Sequence, residues 1–238
     1  MVDLSPEAIR AVEIWRATLL ALHVYPEDLA RPLHTVGTRE ATYVIEYDAS
    51  LTGVGLVIST LDPGTGTHTL LCVSAVSLAD FGLEGISGNQ NTCEFIAVVV
   101  GLGILAAHGV RGAGVKIIGD NTSSLSWCCR ERFHSAIGKA TAMMYMGIVT
   151  TCDLQVVAGE HIRGDWNVIP DRLSRDVHYS QLGFAPADFF DVRMHPEVQA
   201  VVLACDPGRD VTSSDSVFYG FWGHCSNVIH HLPRNPGV

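Results

Sequence analysis

The run from Tyr43 to Ile58 constrains this chain more than any other stretch. It reads Tyr43-Val44-Ile45-Glu46-Tyr47-Asp48, then Ala49-Ser50-Leu51-Thr52, then Gly53-Val54-Gly55-Leu56-Val57-Ile58. Two β-rich segments flank a short polar, glycine-containing turn, which is a hairpin signal. The first segment ends on an acid, Asp48, and an acid at the end of a central strand is well placed to face a cleft. Three later carboxylates, Glu94, Asp120 and Asp171, stand where they can meet it. Four converging carboxylates repel one another unless divalent cations lie between them.

The rest of the chain supplies elements that can carry those acids. Ser5-Pro6-Glu7 is a helix start, with a cap, a proline in the first turn and an acid beside it. Ala8, Val12, Trp15, Leu19 and Leu22 follow as one apolar stripe to about His23. Residues 24–40 read as a connector. Strands are expected near 42–48, 53–60 and 68–76, with Asp62-Pro63-Gly64-Thr65-Gly66 turning the second into the third. Such short links make these three strands antiparallel. A polar loop over 80–91 precedes a helix from Thr92 to about His108. That helix is apolar nearly all round and therefore buried. Its longest apolar run, Phe95 to Ala107, is short and glycine-dotted for a membrane span.

Val115-Lys116-Ile117-Ile118-Gly119-Asp120 is a short strand ending in an acid. Helices near 121–133 and 136–150 follow, then a fifth strand at 154–158. A loop with Gly159 and Gly164 then leads to a helix near 167–176. The order mixes an antiparallel meander with crossovers, so an α/β fold with a mixed sheet is expected. Beyond Val177 the pattern changes. Helical windows near 195–204 and 215–231, split by Asp206-Pro207-Gly208, make a small helical appendage. The expected organisation is an N-terminal helix and connector over 1–40, a domain over 41–177 and a C-terminal helical extension over 178–238.

Composition narrows the function. Fifteen Lys and Arg stand against 25 Asp and Glu, a net charge of −10. There are only two lysines, Lys116 and Lys139. Autonomous nucleic-acid binders are usually basic, so this balance suits a metal-dependent site, or a domain whose partner supplies the basic surface. The seven cysteines include no CxxC, and most lie in apolar runs. Free buried thiols in a reducing, intracellular compartment, cytoplasm or nucleus, are expected. The first residues lack a basic segment followed by an apolar one, so no secretory signal is expected.

Each acid alone has an ordinary structural role. Asp48 can be a strand-end turn residue. Asn91-Thr92-Cys93-Glu94 fits a capping box. Asp120 can cap the next helix, and Asp171 can pair with Arg175 at i,i+4. Together, each at a strand end or in a first helical turn, they point instead to one shared site.

On these residues the segment from about Thr42 to Asp176 resembles an RNase H domain. In that family a strand-end Asp precedes Ser and a GxG turn, as in Asp48-Ala49-Ser50 and Gly53-Val54-Gly55. A Glu opens the first helix, as in Asn89-Gln90-Asn91-Thr92-Cys93-Glu94. An Asp follows the fourth strand, as in Ile118-Gly119-Asp120-Asn121. A final Asp lies in a C-terminal helix, as in Asn167-Val168-Ile169-Pro170-Asp171-Arg172-Leu173-Ser174-Arg175. The histidine-led loop before it, Gly159 to Asn167, is similar to the form in reverse transcriptases of LTR and DIRS-like retrotransposons. Two departures stand out. Pro170 replaces a small residue before the final Asp, which a first helical turn tolerates. No basic handle stands between the two middle helices.

The resemblance implies an RNase H-like five-stranded sheet, with three antiparallel strands then parallel additions, flanked by helices. It implies hydrolysis of the RNA strand of an RNA–DNA hybrid with two Mg²⁺ ions, or Mn²⁺, held by Asp48, Glu94, Asp120 and Asp171. His161, ten positions before Asp171, corresponds to a mobile loop histidine that shuttles protons or aids product release; a strand-end histidine that packs or is solvated fits the residues as well. Ser50, Asn89, Gln90 and Asn121 are candidate contacts to ribose or phosphate, or loop and cap hydrogen bonders. An upstream polymerase module is the expected partner, and no membrane is. A catalytically silent scaffold of this fold, or another nuclease of the superfamily, is the alternative. Cys205, His224, Cys225, His230 and His231 match no zinc spacing, and Glu160 and Asp165 read as solvated loop acids.

Overall fold

A computed structural model of the chain describes residues 39–81, 90–130 and 139–205, besides the single residue Val12. The N-terminal helix expected over 5–23, Asn89 and the window at 215–231 lie outside the described residues, as do His224, Cys225, His230 and His231.

Five strands form one sheet in the order β3-β2-β1-β4-β5. They are β1 (Ala41–Ala49), β2 (Gly53–Leu61), β3 (His68–Ser77), β4 (Gly114–Gly119) and β5 (Gln155–His161). β1, β2 and β3 pair antiparallel, while β4 and β5 add in parallel. This is the mixed sheet that the resemblance to RNase H domains implied. Alternation along the hairpin explains its two faces. Ile45, Tyr47, Ala49, Val54, Leu56 and Ile58 join the main core, whereas Val57 and Val73 pack with Leu173 in a smaller cluster.

Helix α1 (Gln90–Ala107) covers the first face. Every residue from Thr92 to Ala106 is buried, and Gly101 lets the helix lie on Ile45, whose Cγ2 is 2.9 Å from the position a Cβ would take. By length and composition α1 is apolar enough to cross a membrane, but 83% of that window is buried inside the fold. The expected start at Thr92 falls short, because Gln90 and Asn91 are already helical. Glu94 is therefore not the third residue of a box capped by Asn91. Helices α2 (Thr122–Arg130) and α3 (Lys139–Thr151) pack against α1.

Helix α4 (Val168–Ser174) lies on β2, β1 and β3. Its approach is so close that a Cβ on Gly55 would be 2.0 Å from the Pro170 carbonyl oxygen, and one on Gly53 would be 2.7 Å from that of Ser174. Both glycines of the GxG stretch thus serve the seating of α4. Pro170 is the third residue of this helix, where a missing N–H costs nothing, and it is buried.

β5 runs three residues further than expected, to His161. Glycine at 159 suggested a loop. Instead β4 offers main-chain partners up to Gly119↔His161, and a Cβ on Gly159 would strike Cys129 Sγ at 2.8 Å. Glu160, expected in a loop, lies on this strand and pairs with Lys116.

After Val177 the chain passes over β3. Phe189 bridges Val73, Phe190 N–H donates to Val73 O at 2.9 Å, and buried Ser74 Oγ donates to Phe190 O at 2.9 Å. Helix α5 (Pro196–Ala204) then packs on α1 and α3, with Val198, Val201 and Val202 fully buried. The described part of the extension is thus built into the domain's core. Cys72, Cys93, Cys128, Cys152 and Cys205 are free and buried, as expected of the thiols; Cys129 is exposed.

Candidate active site

Parallel pairing of β1 and β4 sets the site. Glu46 pairs with Ile118, so Asp48 and Asp120, each two residues further on, emerge side by side at one end of the sheet. Glu94 comes from the second turn of α1. Ligand oxygens of Asp48, Glu94 and Asp120 all lie within 4.8 Å of one another. Asp48 is 6% exposed and Glu94 is 3% exposed.

Burial and mutual repulsion dominate the electrostatics. Burial, then the charge of Asp48, pushes the Glu94 carboxyl up from 4.5 to about 8. Burial also raises Asp48, with Asp120 and Asp171 adding to the rise and a hydrogen bond from Ser174 opposing it. Glu94 Oε1 accepts from Gln90 Nε2 at 3.2 Å, while Glu94 Oε2 is buried without a hydrogen-bond partner. A buried oxygen with no donor, beside two further carboxylates, is costly in the protein alone. It suits a hard divalent cation with oxygen ligands. The donor set therefore fits the Mg²⁺ or Mn²⁺ that the resemblance implied.

Asp171 stands next to this group and outside it. Its Oδ1 accepts from Arg175 Nε at 2.8 Å and ion-pairs with Arg175 Nη2 at 2.7 Å. The i,i+4 pair anticipated as the ordinary structural role is thus formed, yet the Asp171 charge is close enough to raise Asp48.

His161 is exposed at the end of β5, and its Nε2 lies 3.0 Å from the Asp120 carbonyl oxygen. A carbonyl can only accept, so this contact needs the proton on Nε2. The residue sits on a strand paired to Gly119, not on the mobile loop that the resemblance implied, because β5 is longer than its glycine suggested.

The polar candidates for substrate contact are engaged within the protein. Ser50 Oγ donates to Ser174 O at 2.6 Å and accepts from the N–H of Gly53 at 3.0 Å. Gln90 Nε2 donates to the Ala49 carbonyl as well as to Glu94. Asn121 Oδ1 caps α2 by accepting from Ser123 and Ser124 N–H, each at 3.0 Å. Asn121 Nδ2 donates to Asn91 Oδ1 at 2.9 Å. Asn121 thus takes the capping role considered for Asp120 and leaves that carboxylate to the cleft.

Two positioning residues escaped the sequence reading. Ser174 Oγ donates to Asp48 Oδ2 at 2.7 Å in a buried bond. Asn167 Nδ2 donates to Tyr47 O at 2.9 Å, also buried. Together they bind the two ends of α4 to the last residues of β1. Their only sequence signal was membership of the Asn167–Arg175 motif, which names no partner.

Neither protein-family models nor curated proteins give a match to this sequence. Solved structures do. RNase H1 from the halophilic archaeon Halobacterium salinarum is 13% identical, with a TM-score of 0.41, over 56% of this chain and 95% of that one. The N-terminal RNase H domain of a Mycobacterium tuberculosis protein is 18% identical, with a TM-score of 0.40, over 57% of this chain and 97% of that one. LC11-RNase H1 in complex with an RNA/DNA hybrid is 17% identical, with a TM-score of 0.43, over 59% of this chain and 99% of that one.

Proposed function

We propose that the chain is a metal-dependent nuclease of the RNase H type, which hydrolyses the RNA strand of RNA–DNA hybrids as part of a retroelement reverse transcriptase. The observation that carries this reading is the Asp48–Glu94–Asp120 group, with Asp48 and Glu94 buried and one Glu94 oxygen unpartnered. The reverse-transcriptase context rests on the histidine-led loop Gly159 to Asn167 ahead of the Asp171 helix and on the acidic balance, which leaves a basic polymerase module to hold the duplex.

In this reading Asp48, Glu94 and Asp120 hold two Mg²⁺ ions, with Asp171 assisting. Such ions supply Lewis-acid activation of the attacking water and neutralise charge on the leaving 3′-oxygen. The protein's own groups aim the ligands. Ser174 fixes Asp48 by one oxygen, Gln90 fixes Glu94, and Arg175 orients Asp171. His161, held at Asp120 through Nε2, leaves Nδ1 to pass a proton to or from the departing product.

A second reading is a silent scaffold of the same fold. It is favoured by the Arg175–Asp171 pair, which gives Asp171 a structural partner. A cleavage assay separates the two. The chain is offered labelled hybrid, double-stranded RNA and double-stranded DNA with Mg²⁺, Mn²⁺ or EDTA. Cleavage confined to the RNA of the hybrid and abolished by EDTA is expected. No cleavage of any substrate under any condition would favour the scaffold.

A further inference from the structure

Residues 163–169 carry an apolar strip that the chemistry above does not use. Trp166 is 72% exposed, Val168 50% and Ile169 38%. Single exposed apolar residues are ordinary, whereas a contiguous set beside a cleft marks a contact surface.

The strip is held against the carboxylates from both sides. The turn closes through Trp166 N–H to Arg163 O at 2.8 Å and Asn167 N–H to Gly164 O at 3.2 Å. On one side of Trp166, a Cβ on Gly164 would be 2.8 Å from Asp120 Oδ2, so the turn rests on that carboxylate. On the other side, Asn167 is anchored to Tyr47 O, next to Asp48. The indole therefore stands in water at the lip of the cleft on a fixed base. One turn along α4 from Val168 lies Arg172, exposed and without an ion pair among the described residues.

We propose that Trp166, Val168, Ile169 and Arg172 form a rail for the nucleic-acid strand at the cleft, with Trp166 packing on the face of a backbone sugar and Arg172 meeting a phosphate. This inference rests on the nuclease reading. A strand whose phosphate reaches Asp48, Glu94 and Asp120 continues past the lip, and the lip offers an aromatic face and a guanidinium. An aromatic face beside a cation suits a sugar–phosphate backbone, where contacts position the strand without regard to sequence. The cation beside the strip favours a phosphodiester strand over a protein partner, and it offsets the scarcity of lysine.

The test compares the 238-residue chain with Trp166→Ala, Trp166→Phe and Arg172→Gln, using one labelled RNA–DNA hybrid. KM and kcat are measured in Mg²⁺, and Kd is measured by fluorescence anisotropy in EDTA, where no cleavage occurs. Trp166→Ala is expected to raise KM and the EDTA Kd together by roughly tenfold, about 1.4 kcal/mol, with kcat within about twofold and melting temperature unchanged. Trp166→Phe should recover most of the affinity. Arg172→Gln should lower the slope of log Kd against log salt by about one. If wild type cleaves hybrid while Trp166→Ala keeps its KM and Kd, the rail is wrong and the strip is a protein contact. If wild type binds hybrid through Trp166 but never cleaves, the rail stands and the nuclease reading falls. If wild type neither binds nor cleaves, both fall.

Discussion

Ser174 Oγ donates a buried hydrogen bond of 2.7 Å to Asp48 Oδ2, joining residues 126 positions apart. The same serine's carbonyl accepts from Ser50 Oγ at 2.6 Å. The last turn of α4 thus grips the acid and the turn that follows it, while Gly53 and Gly55 give the helix room. Removing a group that orients a metal ligand typically costs about 10–100-fold in metal affinity or activity. Ser174→Ala should lower both cleavage rate and Mn²⁺ affinity by a factor in that range, at a stability cost of about 1 kcal/mol. Unchanged Mn²⁺ affinity would reduce the bond to packing.

Asp48→Asn should lower cleavage by more than about a hundredfold, beyond the loss expected for an orienting group. The amide keeps the carboxylate's shape and can still accept from Ser174. It also removes a buried charge whose ionisation is disfavoured by burial and by Asp120 and Asp171. The metal-free variant should therefore melt at or above the wild-type temperature near neutral pH. A large drop in melting temperature would mean that the Asp48 charge itself supports the fold.

Glu94 makes stability depend on pH. Its carboxyl is raised in the folded chain from 4.5 to about 8, so between those values the folded state binds more protons than the unfolded one. Its contribution is fully present below pH 4.5 and is lost as pH rises through about 8. Within that window each step of one pH removes at most about 1.4 kcal/mol. Melting in EDTA should fall across this window. Glu94→Gln should flatten the slope, and Mn²⁺ should restore stability most at the alkaline end. The same slope in Glu94→Gln would assign the effect to other groups.

Much of this arrangement was legible in sequence, and the rest was hidden for physical reasons. The strands at 41–49, 53–61 and 68–77 follow alternation and turn residues, which act locally. Asp48, Glu94 and Asp120 were found because strand ends and helix starts put acids at one edge of a sheet. The Ser174–Asp48 and Asn167–Tyr47 bonds join positions more than a hundred residues apart, and no local pattern encodes them. Gly159 read as a loop because its real reason, the closeness of Cys129, is tertiary. Asn91 read as a cap because the sequence does not reveal that α1 has already begun by Gln90. The chain after 177 read as an appendage because short 3₁₀ turns over β3 carry little periodicity, although α5 completes the core beside α1.

His161 faces the Asp120 main chain and not the carboxylates of the group. His161→Ala should slow turnover by roughly 10²-fold, the scale of a lost general acid or base, with Mn²⁺ affinity nearly unchanged. Calorimetric titration of both forms measures this. A large loss of affinity would make His161 a ligand.

The most direct measurement of the central claim is calorimetric titration of Mn²⁺ into the metal-free chain near neutral pH, in two buffers of different ionisation enthalpy, with Asp48→Asn alongside. A carboxylate must lose its proton to ligate, and Glu94 holds one up to about pH 8. The account predicts saturable binding whose heat depends on the buffer, because a proton leaves Glu94, and it predicts loss of that binding in Asp48→Asn. No saturable binding in the wild-type chain, or an identical isotherm in Asp48→Asn, would contradict a metal centre built on Asp48, Glu94 and Asp120.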